Sequence, residues 1–465
     1  MIRRAFRDNA PHRLPARCAL LLSLLLLSGC SLQRHSDALL VLSDIASGGR
    51  DSSLKKSTPE PSRTPVTYAI AGRTHTADLY LPGTGKPEAG IVLVPGAVPD
   101  GKDNESLVAF AMTLARARFA VLTPELSGQR ELKVQPAHAR EVADGFRYLV
   151  EREDLSPRGR AGIAAFSYGV GPAVLAALED DVRGRVRFVL GVGGYHDIRA
   201  SIRFFTTGYF EDNGAPRYLK PDDYGKLVFI KSVLDQIKSR DDRVTLDAMV
   251  SARLKDPSAE LSALAKRLGP EGLAVYRLLT NTDPKETPRL LAALPQPIVE
   301  TIDALTLDNK HLQRLTARLL LVHGRNDRLV PYPESLALGN AVAPGQANVV
   351  ILNRILGHVD LALSDFFSLQ LWREELPDAW RLLRVVNLLL LERERPAVPT
   401  ISARVSEETR RHVWLAVEAQ VLERGWLSPP RRQHVQHPER RGAGEQVFER
   451  VPAHDLPEVE DPRVQ

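Results

Sequence analysis

Short apolar runs alternate with stretches of helical spacing through the middle of this chain. Val66 to Ile70 and Thr74 to Leu81 flank Ala71-Gly72-Arg73, the pattern of a hairpin, with Ala77, Leu79 and Leu81 alternating toward one face. Ile91 to Val94 is apolar throughout and closed by Pro95-Gly96, as expected of a strand buried on both faces of a parallel sheet. Leu107, Phe110, Ala111 and Leu114 then keep helical spacing, Phe119 to Leu122 returns to strand character, and Val142, Phe146, Leu149 and Val150 are helical again. Further strands are predicted at Gly162 to Phe166, Val186 to Val192, Leu319 to Val322 and Asn348 to Leu352. This alternation predicts an α/β protein, a mostly parallel sheet flanked by helices.

Three regions break the rhythm. Between Asp197 and His311 no buried strand is evident, and Leu227 to Lys238 and Leu261 to Leu279 read as helices. A separate helical domain would look the same, but strands resume afterwards, so the segment reads as an inserted cap. Ala46 to Pro65 is rich in Ser, Gly, Pro and charge and reads as a tether. Past Arg395 one amphipathic helix is possible, from Ser406 to Gly425, and the rest of the tail is too polar to pack.

The first thirty residues differ again. Arginines precede an apolar run of ten residues, Cys18 to Leu27, followed by Ser28-Gly29-Cys30. A spanning helix needs about 20 residues, whereas the core of a secretion signal needs about 7–15. Leu27-Ser28-Gly29-Cys30 resembles the bacterial lipobox, which implies cleavage before Cys30 and a diacylglycerol on its thiol. Ser31, where retention at the inner membrane would favour Asp, implies the outer membrane if the cell is Gram-negative.

Processing changes what charge and cysteines mean. The formal charge of +5 includes Arg3, Arg4, Arg7, Arg13 and Arg17 against Asp8, a net +4 in the signal, so the mature chain carries about +1. A nucleic-acid partner is therefore not expected. Cys18 leaves with the signal and Cys30 is lipidated, so no thiol remains for a disulfide, a metal or a nucleophile. With 43% hydrophobic and 26% charged residues the composition is that of an ordinary folded protein.

The chemistry gathers at three places. Ala165-Phe166-Ser167-Tyr168-Gly169 sets a serine between an apolar strand and a small-residue helix, with tiny neighbours two places away on each side. A serine exposed on a sharp strand-to-helix turn needs them, because larger side chains would collide. Downstream, Leu319 to Val322 ends in His323-Gly324-Arg325-Asn326-Asp327, a strand leading to a loop acid. Gly357-His358 follows the strand at Asn348 to Leu352. Of the twelve histidines, His358 alone has both the order and the loop position for a base; His323 precedes the acid, and His138 and His311 fall in helical patterns.

The order Ser167, Asp327, His358, with the strand-turn-helix around the serine, resembles the α/β-hydrolase superfamily from about Val66 to Leu391, cap excepted. The match departs at Ala165, where the family consensus has Gly, and at Pro95-Gly96, where members often have His-Gly. The resemblance implies an oxyanion hole from the N–H groups of Tyr168 and Ala97, and an acyl-enzyme mechanism with no metal or cofactor. A small-molecule or lipid ester is the expected substrate; amidase or acyltransferase chemistry, or a silent fold that binds a ligand or partner, stays open. Phe204, Phe205, Tyr209 and Phe210 of the cap either line an acyl pocket or pack as core. The expected layout is a signal peptide (1–29), a lipidated tether (30–65), a hydrolase core (66–198 and 313–395) around a helical cap (199–312), and a tail (396–465).

Overall fold

The computed structural model describes residues 33–353 and 369–395, with side chains from 377 onward in the second stretch. Cys30, His358 and the segment from Ser406 to Gly425 lie outside the described residues.

Strands β1 (Ser62–Ile70) and β2 (Arg73–Leu81) form the expected hairpin. Next come β3 (Ala89–Val94), β4 (Phe119–Pro124), β5 (Ala161–Phe166) and β6 (Phe188–Val192). A small antiparallel pair, β7 (Tyr209–Asp212) and β8 (Ala215–Tyr218), precedes β9 (Arg318–Gly324) and β10 (Ala347–Leu352). Among the described residues the main sheet has eight strands in the order β1-β2-β4-β3-β5-β6-β9-β10, and only the β1–β2 and β2–β4 pairings are antiparallel. A mostly parallel sheet in this order, with helices on both faces, has the α/β-hydrolase architecture.

Before the cap the helices are α1 (33–46), α2 (Ser53–Ser57), α3 (Glu105–Arg116), α4 (Ala137–Val150) and α5 (Val170–Leu178). The cap holds α6 (Ile198–Thr207), α7 (Tyr224–Val233), α8 (Arg240–Lys255), α9 (Ser262–Ala265), α10 (Pro270–Leu279), α11 (Thr287–Ala292) and α12 (Gln296–Leu305). Among the described residues two helices follow it, α13 (Pro333–Asn340) and α14 (Leu369–Leu391).

The two-residue period of the strands sorts their side chains onto two buried faces. Ile91, Leu93, Phe119 and Val121 pack with α1, α3 and α14, through residues such as Val41, Leu114 and Leu389. Val92, Val94, Ala120 and Leu122 pack with α4 and α5 in a cluster that continues into the cap. Both faces are covered, which is why these strands read as continuous apolar runs.

Three expectations need correction. The stretch read as a tether is ordered from residue 33: Ala38 and Val41 keep helical spacing and are buried, and Leu54 is buried on α2. Asp44 knits this stretch to α3, accepting from Ser52 Oγ and from Thr113 Oγ1 (2.6 Å) and pairing with Lys55 (2.9 Å). The helix read over Leu261 to Leu279 is two, because Pro270 forces Gly269 out of the helical region (ψ −173°). The cap also contains the β7–β8 hairpin, too short and too exposed to register as a buried strand.

Candidate active site

Parallel strands place all their carboxyl ends on one edge of the sheet, and the loops there carry the described candidates. Phe166 at the end of β5 is extended, Val170 opens α5, and between them the chain reverses through a tight turn, Ser167–Gly169. Ser167 sits in the left-handed region (φ 52°), a conformation that costs an L-residue about 1–2 kcal/mol. Such strain persists only where the surroundings enforce it. Gly169 is part of the enforcement, since a Cβ there would lie 2.5 Å from the Pro95 carbonyl oxygen. Ala165 is accommodated because its partner in register on β6 is Gly191.

The loop after β3 closes over the serine. A Cβ on Gly96 would lie 3.2 Å from Ser167 Cβ and 3.9 Å from its Oγ, so the Gly96-Ala97 segment lies beside the hydroxyl. Two side chains hold this loop from elsewhere. Gln129 Nε2 donates to the carbonyls of Pro95 (3.2 Å) and Gly96 (2.8 Å), and Tyr224 Oη, from the cap, donates to Ala97 O (2.8 Å). Neither was visible in the sequence, because each acts across long separations on a backbone atom that carries no motif.

Asp327 lies on the loop after β9 and is fully buried. Its Oδ1 accepts from Leu329 N (2.8 Å) and Val330 N (3.0 Å), and its Oδ2 lies 3.2 Å from His323 Nε2. His323 in turn contacts Val330 O (2.9 Å) through Nε2 and Ser335 Oγ (2.7 Å) through Nδ1. It is thus a buried anchor of the acid loop, and its place on β9, four residues before the acid, is the signal that could have found it. His138 is also buried, its Nε2 2.8 Å from Ser127 O, while His311 is exposed beside a short turn and not within a helix.

The carboxyl edge also holds a buried carboxyl on α13. Glu334 Oε2 accepts from His196 N (2.9 Å) and Asp197 N (2.7 Å), the residues that lead from β6 into α6. Burial pushes its pKa up to about 7, against the opposing pull of those two N–H groups.

Tyr168, next to the serine, faces two crevices. One runs between Gly96, Gln129 and Val134. The second lies under the cap and is lined by Tyr168, Ile202, Phe205, Val228, Phe229 and Ile302. Burial pushes the Tyr168 hydroxyl pKa up, the Asp327 charge adding to it, and its oxygen has no hydrogen-bond partner among the described residues. Of the four aromatic residues considered for an acyl pocket, Phe205 lines this crevice. Phe204 and Phe210 pack on each other and on Tyr332 (5.6 and 6.2 Å between ring centres), and Tyr209 packs on Tyr218 (5.2 Å). Consecutive helical residues lie about 100° apart, so Phe204 and Phe205 serve different surfaces.

Arg325 ties the acid loop to the exit of β10, donating to Asn353 Oδ1 (2.8 Å) and Tyr332 Oη (3.0 Å), while Asn353 N donates to Asp378 Oδ2 (2.7 Å) on α14. Among the described residues no helix is long and apolar enough to cross a membrane.

No protein-family model matches the chain, and no curated protein matches it. Solved structures with similar chain traces include a hyperthermophilic esterase from the archaeon Pyrobaculum calidifontis (13% identity, 78% of this chain and 93% of that one, TM-score 0.39). A 2,6-dihydroxy-pseudo-oxynicotine hydrolase is another (13%, 73% and 71%, TM-score 0.40), as is the esterase domain of a Rhodothermus marinus protein (15%, 72% and 98%, TM-score 0.36).

Proposed function

We propose that this chain is a serine hydrolase that cleaves carboxylic esters through an acyl-enzyme. Ser167 is the nucleophile, His358 the base that takes its proton and returns it to the leaving alcohol, and Asp327 the acid that orients the histidine. The N–H groups of Tyr168 and Ala97 stabilise the oxyanion, and water releases the acid product. The observation that carries this reading is the left-handed turn at Ser167 with Gly96-Ala97 beside its hydroxyl. β10 delivers the chain to the same edge at Leu352, six residues before His358.

The crevice under the cap takes the acyl part of the substrate, since its lining is apolar and Tyr168 borders it. The enzyme works in a bacterial envelope, held to a membrane through lipidated Cys30, at the outer membrane if the cell is Gram-negative. A panel of chromogenic esters of increasing acyl length tests the reading. Turnover by the full-length protein that disappears in Ser167→Ala and in His358→Ala supports it; turnover that survives Ser167→Ala overturns it.

A further inference from the structure

The edge of the sheet opposite the site has a character of its own. The residues just before the parallel strands, or opening them in the case of β9, form a row across it, in sheet order Arg118, Glu88, Arg160, Arg187 and Arg318. Backbone hydrogen bonds align them: Glu88 N to Arg118 O (2.8 Å), Gly90 N to Arg160 O (2.7 Å), Arg187 N to Ala161 O and Arg318 N to Arg187 O (both 3.0 Å). The end of α14 joins the row, with Arg160 Nε donating to Arg395 O (2.8 Å) and Arg393 Nη1 to Ala117 O (2.8 Å).

Carboxylates here are outnumbered. Buried Glu392 is shared by Arg187 (3.4 Å), Arg318 (3.7 Å) and Arg395 (3.1 Å), and Glu88 by Arg118 (2.7 Å) and Arg393 (3.7 Å). Among the described residues no carboxylate lies within ion-pair distance of Arg160. Burial, followed by repulsion from neighbouring guanidinium groups, lowers the pKa of Arg160. Arg118 and Arg395 keep 42% and 33% of their side-chain surface in water, enough to meet an external anion.

α1 starts at this same edge. Arg34 pairs with Glu394 (2.5 Å) and donates to Asn387 Oδ1 (3.2 Å), and Asp37 pairs with Arg393 (3.0 Å). Cys30 precedes residue 33 by three positions, a reach of at most about 11 Å. Without a long tether, a lipid on Cys30 brings this edge to the bilayer. Ser167 lies across the sheet, the six residues of β5 away, about 20 Å.

We propose that the arginine edge is a docking face for anionic phospholipid headgroups, so that it and the Cys30 anchor together stand the sheet on end with Ser167 turned away from the membrane. The inference rests on the lipid-anchor reading above. It gives the enzyme a substrate arriving from the aqueous side in place of a lipid of its own bilayer.

Cys18 and Cys30 are the chain's only cysteines, so in the mature lipoprotein one introduced cysteine takes a fluorophore alone. Gly184→Cys, where a Cβ enters open space in the turn before β6, reports the arginine edge, and exposed Ala215→Cys reports the cap hairpin. The full lipidated protein is bound to vesicles of phosphatidylcholine and phosphatidylglycerol carrying a headgroup nitroxide quencher. Expected is strong quenching at Gly184→Cys and little at Ala215→Cys, with the contrast shrinking in phosphatidylcholine alone, in Arg318→Gln, and as salt rises from about 0.01 M to 1 M, where screening length drops from about 30 to 3 Å. Equal quenching at both sites, or a contrast indifferent to lipid charge and salt, overturns the docking face. Flotation of the same samples separates the two claims: a chain that floats with equal quenching keeps its anchor and loses its orientation, and one that does not float loses both.

Discussion

Gly169 has no room for a methyl group, because the Pro95 carbonyl oxygen would sit 2.5 Å from it. Gly169→Ala is therefore expected to shift the turn at Ser167 and to lower kcat by at least tenfold, about 1.4 kcal/mol, while KM stays near its starting value. Gln129 bears on the same turn from the other side. Gln129→Ala takes a donor from the buried Pro95 carbonyl and the half-buried Gly96 carbonyl, which costs about 1–3 kcal/mol, and ester turnover should fall to match. Unchanged kinetics in Gln129→Ala would show that the loop needs no such support. The sharp turn at Ser167 was legible because such a turn needs small residues at Ala165 and Gly169 and because a strand and a helix flank it. Gln129 and Tyr224 were not, since each acts through a fold-made contact that no local spacing encodes.

At the scale of elements, the buried strands and their order of appearance were readable because burial on both faces leaves only apolar residues in them. The cap was readable as helix but not in its breaks, which depend on Pro270 and on the turn that ends α7. It was also unreadable as a pocket, since periodicity gives the apolar face and not whether that face meets a wall or a void. Gly225, at the start of α7, lines the crevice with Phe205 alongside, where an added Cβ would meet the Phe205 side chain at 3.2 Å. Gly225→Leu should narrow the crevice and lower kcat/KM for octanoyl esters tenfold or more, while acetyl esters lose little. A uniform loss across acyl lengths would place the acyl group elsewhere. The N-terminal stretch misled for a related reason: a few apolar residues, Ala38, Val41 and Leu54, decide its order against a polar majority.

Over the whole molecule, Glu334 couples the acid loop's helix to the entrance of the cap through His196 N and Asp197 N. Its carboxyl titrates near pH 7 when folded, against an ordinary value of 4.5. The folded state thus holds this proton more tightly than the unfolded chain, so the stability it contributes is full below pH 4.5 and falls away as pH rises toward 7 and beyond. Asp197 adds to that upward push, Arg203 opposes it, and nearby His196, its own pKa lowered by burial, contributes a slope of opposite sign. Subtracting the Tm of Glu334→Gln isolates the carboxyl: the wild type should lose stability relative to the variant between pH 5 and pH 8, and a pH-independent difference would contradict the assignment.

The central claim is that Ser167 is an activated nucleophile, and covalent capture measures it directly. A fluorophosphonate probe incubated with the folded, full-length protein, followed by peptide mapping, should place one adduct on Ser167 and none in Ser167→Ala, with labelling slowed by orders of magnitude in Asp327→Asn and in His358→Ala. No adduct on the folded wild type, or an adduct that survives Ser167→Ala, would contradict the account.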